Sequence, residues 1–300
     1  MPSTEEPQMP SRPQAIVLTF IAVMLWGVAP VGTRYLLGDN HAGLPGAPFV
    51  GLRYGLATVC FIPWLVPALR RWSRQDLLLG AFCGVVGVMG YNLPNSLGNR
   101  TVSAGMVGLL NATEPLIIVL LVSLRSRRMP GVWTFLAAVI GFTGIALLAH
   151  SAGPAEGDAK GIALVLFGAF NWSCYCVLIP RLLVARSAMQ VSAVTMTAGT
   201  LPMLLVGAPG MGHMLGMMDW PRWEIALALA IGPSGLAMAA WTKGSAELGA
   251  EASGWFLYLL PVFAAAGGVA VLSEPLTALE FLGGVLILLS VFLSQRAPAA

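Results

Sequence analysis

Long apolar runs alternate with short polar segments along almost the whole chain. Between Gln14 and Gln295 the sequence holds ten apolar stretches of roughly 18–24 residues, close to the ~20 that a helix needs to cross a bilayer core. The segments between them are short, and the longest lie at 38–47, 150–159 and 209–223. The predicted helices cover about 14–37, 48–69, 77–97, 101–124, 131–149, 160–183, 190–208, 224–245, 250–271 and 277–295.

The composition agrees with a chain that lies almost entirely in the membrane. Charged residues make up 10% of the sequence and the hydrophobic types 57%, whereas a soluble domain carries about 25% charged residues. Residues 1–13 contain four prolines and no apolar run, which predicts a disordered cytoplasmic tail. Apart from Arg12 this tail lacks the basic residues of a signal peptide, so we expect the first apolar stretch to remain as a membrane anchor.

The basic residues predict an orientation with both termini in the cytoplasm. With the N-terminus inside, eleven basic residues fall on the cytoplasmic side and four on the other, and cytoplasmic loops are expected to be the more basic. The eleven are Arg12, Arg70, Arg71, Arg74, Arg125, Arg127, Arg128, Arg181, Arg186, Lys243 and Arg296. Topology therefore accounts for the net charge of +3, and we expect no nucleic-acid partner.

A shift of 146 residues aligns the two halves of the sequence without a gap. Apolar coincidences are expected from composition alone, but tryptophan, proline and glycine positions also match. These matches are Trp26 with Trp172, Pro63 with Pro209, Gly98 with Gly244, Gly108 with Gly254, and Pro115 with Pro261. Each half, 14–150 and 160–296, holds five predicted helices, and an odd number turns the second half upside down. We therefore predict an all-α membrane protein with ten transmembrane helices in two inverted five-helix repeats.

Inverted repeats are typical of secondary transporters, which bind substrate near the midplane between the halves and alternate access by rocking. The two halves of this chain also differ in charge as inversion requires. The loop after the fourth helix contains Arg125, Arg127 and Arg128, whereas its counterpart around Glu274 contains no basic residue. The sequence therefore predicts a carrier of small solutes that lies in the bacterial inner membrane.

Several sequence segments resemble the drug/metabolite transporter superfamily in its ten-helix, EamA-type form. The resemblance covers about residues 14–295 and is strongest at Tyr258-Leu259-Leu260-Pro261, at Leu272–Thr277 and at the glycine-rich segment Phe281–Ile287. Trp26-Gly27 followed by Pro30 is also similar to the family, whereas Arg127-Arg128 stands where an acidic residue often follows the fourth helix. The resemblance implies export of small metabolites. Within the family the chain is similar to amino-acid exporters, including the aromatic amino-acid exporter.

Aromatic and amide side chains at mid-membrane depth are candidates for substrate contact. Trp26, Asn171 and Trp172 fall near the middle of the first and sixth helices, too deep for the interfacial belts where tryptophan usually lies. We expect them to line a cavity, and the alternative is that they only pack the two halves together. Tyr258 lies near the middle of the ninth helix, and Tyr91, Asn92 and Asn95 lie in the outer half of the third.

Glu114 is the outstanding ionisable residue of the predicted spans. A charge deep in the bilayer costs at least ~2.5 kcal/mol on insertion scales, so the side chain should face a wet cavity or a partner. Asn111 lies on the same helical face, and Pro115 removes a backbone donor. We predict that Glu114 contacts a substrate ammonium group or takes part in proton coupling. A purely structural pairing with an arginine, or a protonated carboxyl, is the alternative.

Gating or steering is predicted for three further residues. Arg53 lies about five residues inside the second helix, where it is able to steer a carboxylate or close an outer gate. Pro115 and Pro261 occupy matching positions in the two repeats, and proline breaks in membrane helices serve as hinges.

Sequence motifs for other chemistries are absent from the chain. It contains no Walker loop, GxSxG, HExxH or dinucleotide fingerprint, and its histidines and cysteines are not spaced as metal ligands. We therefore expect no cofactor, no metal and no enzymatic activity. The leading prediction is an exporter of aromatic or large neutral amino acids. The alternatives are a multidrug exporter of lipophilic cations and an integral-membrane enzyme that acts on lipid.

Overall fold

The computed structural model describes residues 10–37, 42–98, 107, 110–151, 159–260, 262–263 and 278–294, and every regular element within these ranges is helical. The α-helices are α1 (Arg12–Leu37), α2 (Gly46–Val59), α3 (Ile62–Arg71), α4 (Arg74–Cys83), α5 (Gly90–Gly98), α6 (Glu114–Ser126), α7 (Val132–Ser151), α8 (Ala159–Leu178), α9 (Pro180–Leu183), α10 (Ala188–Gly216), α11 (Trp220–Leu229), α12 (Ala237–Gly254) and α13 (Ala278–Ser294). Two π-helical segments, π1 (Gly84–Met89) and π2 (Ala230–Leu236), join α4 to α5 and α11 to α12, and a 3-10 helix covers Trp255–Leu259.

The second predicted helix is broken into α2 and α3, which meet at an angle of 74°. Cys60 and Phe61 form the break, where their backbone N–H groups donate to carbonyl groups three residues back. Pro63 lies in the first turn of α3, and it lacks the N–H group that would continue the hydrogen bonds of α2 across the break. The prediction of one continuous helix over 48–69 was therefore wrong.

The seventh predicted helix, by contrast, is longer than expected. α10 continues through Pro202 and Pro209 to Gly216, so most of the loop predicted at 209–223 is helical. The connection to α11 is consequently short. Asp219 closes it by accepting a hydrogen bond from the Arg222 backbone N–H at 3.0 Å.

Other boundaries fall between or outside the described residues. Gly249, with φ +80° and ψ 170°, interrupts the helical geometry of α12 where the eighth and ninth predicted helices meet. Of the fourth predicted helix, α6 is the part described after a turn at Ala112 and Thr113. Pro261, Glu274 and the end of the ninth predicted helix, 264–271, lie outside the described residues.

Matching features recur in the two halves at the separation predicted from the sequence. π1 begins at Gly84 and π2 at Ala230, which are 146 residues apart. A methyl group on Gly98 would lie 2.8 Å from the Gly161 carbonyl oxygen, and one on Gly244 would lie 2.9 Å from that of Ala15. Both members of the second contact are displaced from the first by 146 residues. The third helix of each half thus packs closely on the first helix of the other.

The helices have the length and surface of membrane spans. Within the described residues five helices are long and apolar enough to cross a bilayer, or six when α2 and α3 count as one bent span. α7 and α13 add shorter apolar segments. Large apolar side chains such as Leu205 (75% exposed) and Phe281 (64% exposed) lie on the outside, where lipid would cover them. These features confirm the predicted all-α membrane fold.

Candidate substrate site

Five aromatic side chains from both halves of the fold form one aromatic cluster: Trp26, Tyr91, Trp172, Tyr175 and Trp241. The Trp26 ring meets Trp172 edge-on, with 5.3 Å between centroids, and Trp241 lies 5.3 Å from Trp26 and 5.9 Å from Trp172. Tyr91 and Tyr175 flank Trp172 at 5.6 and 5.0 Å. Edge-to-face and offset pairs of this kind are each worth about 0.5–1.5 kcal/mol beyond burial, so the cluster is a firm contact between the halves.

The cluster combines buried and partly open faces. Trp172 is 5% exposed and Trp241 is 1% exposed, whereas Trp26 and Tyr91 are only half-buried. The indole N–H of Trp26 donates to the Pro233 carbonyl oxygen in π2 at 2.7 Å. Trp26 is therefore fixed by its polar edge, while part of its ring remains free to touch a ligand.

Glu114 begins α6 and is 1% exposed. Its Oε1 atom has no hydrogen-bond partner among the described residues, and no described cation lies within 4 Å of the carboxylate. The Glu114 backbone carbonyl accepts a hydrogen bond from Ser173 Oγ of α8 at 3.2 Å, which ties α6 to the second half. A buried carboxylate in a membrane protein is expected to serve a function, because its cost otherwise has no compensation.

The turn before α6 aims an amide toward α5. Pro115 is buried in the first turn of α6, and Thr113 caps the preceding turn by donating to the Leu110 carbonyl at 2.6 Å. Asn111 Oδ1 accepts a hydrogen bond from Asn95 Nδ2 at 3.0 Å. Pro115 therefore follows directly on the turn at Ala112 and Thr113, just after Asn111 and its partner Asn95.

Arg53 enters the protein interior from α2. Its Nε atom donates to Ser234 Oγ in π2 at 2.7 Å, and its guanidinium carbon lies 5.5 Å from the centre of the Tyr54 ring. No described carboxylate lies within 4 Å of it. Arg53 is thus held by a hydroxyl and an aromatic ring, which leave its positive charge uncompensated among the described residues.

Tyr91 lies where the segments that carry the two ionisable residues meet the aromatic cluster. Its neighbour Asn92 accepts a hydrogen bond from the hydroxyl of Tyr54, which is adjacent to Arg53. Its ring packs on Trp172, and the next residue, Ser173, donates to the Glu114 backbone carbonyl.

Two other predicted site residues have different surroundings. Asn171 is buried and donates to the Phe167 carbonyl at 2.7 Å, and its side chain borders Gly90. Tyr258 is buried beside Trp255 and packs on Gly141 of α7, which also borders Ser290 of α13. Its described contacts therefore belong to the packing of α7 and α13.

The sequence did not single out Trp241, Ser234 or Tyr54 for the site. Trp241 lies near the end of the eighth predicted helix, 224–245, yet its ring packs against both Trp26 and Trp172. The repeat contained a usable signal, because Trp241 follows by 146 residues the predicted site residue Asn95. Ser234 carried no signal of its own, since its importance comes from a contact with Arg53 that is distant in sequence.

Two helical halves that interlock through equivalent contacts, with charged and aromatic side chains where they meet, define a membrane transporter of the inverted-repeat class. The chain belongs to the EamA-like transporter family, whose model matches residues 13–149 and again 159–295. The second match begins 146 residues after the first, the same separation that relates the structural features. The protein is therefore a multi-pass membrane protein of a family that transports small molecules.

Relatives cover nearly the whole chain. YdfC, an uncharacterized transporter of Bacillus subtilis, is 29% identical over 91% of this chain and 88% of its own. A probable terminal-alkyne amino-acid exporter of Streptantibioticus cattleyicolor is 28% identical over 94% and 92%. The threonine/homoserine exporter RhtA of Escherichia coli is 28% identical over 87% and 86%. A crystal structure with 21% identity shares the fold, with a TM-score of 0.73 over 95% of this chain and 98% of that one.

Proposed function

We propose that the protein exports amino acids by alternating access between its two halves. The observation that carries this proposal is the pair of ionisable groups of opposite sign in the spans, the half-buried Arg53 and the buried Glu114. Neither has an ionic partner among the described residues. Tyr54, next to Arg53, bonds to Asn92, and the Glu114 backbone bonds to Ser173, next to Trp172, so both groups belong to segments around the aromatic cluster. A zwitterionic amino acid would supply an ammonium group for Glu114 and a carboxylate for Arg53.

Each part of the site has a role in this proposal. Glu114 binds the substrate ammonium group, and Arg53 binds the carboxylate through its planar donors. The half-buried faces of Trp26 and Tyr91 contact the substrate side chain. The Asn95–Asn111 pair and Asn171 supply polar groups beside the ammonium, and Tyr258 supports the site from the 3-10 helix.

The cargo named for two relatives supports recognition of an amino-acid head group. One is a probable exporter of a terminal-alkyne amino acid, and the other exports threonine and homoserine. These cargoes differ in their side chains but share an ammonium and a carboxylate. We extend that common part to the substrate of this chain and retain the expectation of an aromatic or large neutral side chain.

Export of lipophilic cations is the second candidate. Glu114 and the tryptophan faces favour it, because a cation is attracted to both a carboxylate and an aromatic ring. The Arg53 guanidinium opposes it, since a second cation in the same interior adds repulsion. The zwitterion is therefore the better match to the described charges.

The transport cycle is proposed to rock the repeats 14–150 and 160–296 against each other, with Pro115 and Pro261 as hinges. We place the protein in the bacterial inner membrane with both termini in the cytoplasm, on the basis of eleven basic residues against four. Alkaline phosphatase fused after residue 300 should be inactive, because this enzyme does not fold in the cytoplasm. An active fusion would contradict the proposed orientation.

Counterflow in proteoliposomes tests the proposal. Purified protein is reconstituted with unlabelled amino acid inside, and uptake of labelled threonine, leucine, phenylalanine or tryptophan is compared with that of protein-free vesicles. We expect saturable uptake of at least one amino acid. Absence of amino-acid uptake, together with saturable binding of tetraphenylphosphonium, would contradict the proposal and favour the lipophilic-cation exporter.

A further inference from the structure

The two π-helical segments hold neighbouring residues of α2 from equivalent positions. Ser234 of π2 accepts a hydrogen bond from Arg53 Nε at 2.7 Å. Its counterpart 146 residues earlier is Val88 of π1, whose carbonyl accepts from Asn92 Nδ2 at 2.7 Å. Asn92 in turn accepts a hydrogen bond from the Tyr54 hydroxyl at 2.7 Å. Arg53 is thus held directly by π2, whereas Tyr54 is held by Asn92 of α5, which is itself bonded to π1.

The π geometry makes these contacts available. A π turn contains one residue more than an α turn and often marks a functional site, because it displaces side chains and carbonyl groups from their α-helical positions. In π2 the Pro233 carbonyl accepts from the Trp26 indole, and the next residue, Ser234, accepts from Arg53. The buried hydroxyls of Thr19 and Thr242, in regular helices, instead donate to the carbonyl four residues back. Ser234 therefore faces across to α2.

The contact with Ser234 leaves the terminal nitrogens of Arg53 available. Among the described residues its hydrogen bond is made by Nε alone, and the Tyr54 ring stacks near the guanidinium at 5.5 Å. Ser234 is 1% exposed, so water does not compete for its hydroxyl. The Arg53 guanidinium is consequently oriented through Nε. Its two terminal nitrogens remain as a pair of donors, which is the arrangement that binds a carboxylate with two parallel hydrogen bonds.

We propose that Ser234 is a positioning residue that sets selectivity for substrates with a carboxylate, and that π1 assists it through Asn92 and Tyr54. The inference rests on the proposed function, because it assigns the substrate carboxylate to Arg53. Ser234 does not touch the substrate. It holds the guanidinium in the one orientation in which both outer nitrogens face the ligand.

A competition measurement isolates this role. Counterflow of labelled phenylalanine is inhibited with unlabelled phenylalanine or phenethylamine, which lacks only the carboxylate. Threonine and 1-amino-2-propanol replace them if threonine is the amino acid that exchanges. The quantity compared between variants is the selectivity ratio, defined as the inhibition constant of the amine divided by that of the amino acid.

We expect Ser234→Ala to lower this ratio about tenfold, the effect of roughly one hydrogen bond to a charged group. Tyr54→Phe keeps the ring beside Arg53 and should lower the ratio by a smaller factor. Ser245→Ala is the matched control, because Ser245 is buried in the same span and, among the residues that the structure describes, bonds only to the Thr242 carbonyl. Its ratio should equal that of the unmodified protein.

The ratio separates positioning from general stability, since a structural defect weakens amine and amino acid alike. An unchanged ratio in a folded, transporting Ser234→Ala protein would overturn the proposal. If that variant does not fold, an unchanged ratio in Tyr54→Phe would overturn it. Absence of exchange by the unmodified protein would contradict the proposed function itself and this inference with it.

Discussion

Glu114→Gln should separate the stability of the protein from its transport activity. The carboxylate is 1% exposed and its Oε1 has no partner among the described residues, and a charge at the bilayer centre costs at least ~2.5 kcal/mol. Glutamine removes the charge but leaves a buried amide, which costs about 1–3 kcal/mol if unpaired. These opposing costs are similar in size, so we expect the free energy of unfolding to stay the same or rise by up to about 1 kcal/mol.

Substrate binding by the Glu114→Gln variant should become weaker although the fold is as stable as before. A hydrogen bond to a charged group contributes about 1.5–3 kcal/mol, so loss of the ammonium–carboxylate contact should weaken substrate binding about 10–150-fold. The assay is KM in counterflow, paired with thermal unfolding in detergent. Glu251→Gln is the control, because Glu251 is half-buried and already accepts a hydrogen bond from Thr134 at 3.4 Å. An unaltered KM together with a lower unfolding temperature would refute the reasoning, since Glu114 would then serve only the structure.

Three further predictions concern packing and surface charge. Trp241→Ala should lower the free energy of unfolding by about 3–5 kcal/mol, because a fully buried indole leaves a cavity; thermal unfolding in detergent measures this, and a loss below about 1 kcal/mol would contradict it. Gly84→Ala should prevent the native packing of α10, because the added methyl group would overlap the Thr195 backbone carbonyl oxygen. Gly55→Ala is the control and should fold, because its methyl group would approach a Leu204 methyl group no closer than 3.6 Å. Size-exclusion profiles distinguish a folded from a misfolded variant. Asp76→Asn should cost at most about 1 kcal/mol despite the 2.6 Å ion pair with Arg186, because both side chains are partly exposed; a larger loss that persists at high salt would be inconsistent with a surface pair.

The repeat was the part of the fold that could be predicted most completely. Tryptophan, proline and glycine positions that match at a separation of 146 residues predict equivalent places in two repeats of the same fold. The structure shows such equivalent close contacts at Gly98 and Gly244. The meeting of Trp26 and Trp172 also followed from their equivalent positions and depth. These predictions depend on spacing along the chain, which the sequence states directly.

Local helix geometry could not be predicted in the same way. A π turn adds a single residue and leaves the apolar run continuous, so hydropathy does not reveal it. A constant rise per residue along the eighth predicted helix puts Trp241 far from mid-membrane depth, and π2 lies between the start of that helix and Trp241. Pro63 was visible as a possible break, but the 74° bend depends on how α2 and α3 pack.

The Arg53–Ser234 contact illustrates the remaining limit of prediction from one sequence. Arg53 stood out because a charge inside an apolar span is rare, whereas a serine in a helix is common and usually bonds to its own backbone. The two residues are 181 positions apart, so only the folded arrangement of α2 and π2 brings them together.

The most direct test of zwitterion recognition is to remove each substrate charge in turn. With the unmodified protein, inhibition of counterflow is measured for phenylalanine, for phenethylamine, which lacks the carboxylate, and for 3-phenylpropionic acid, which lacks the ammonium. If threonine is the amino acid that exchanges, its two corresponding analogues are used. The account predicts that each analogue binds at least about tenfold more weakly than the parent amino acid, because Arg53 or Glu114 is then left uncompensated. An amine that binds as tightly as the amino acid would contradict it.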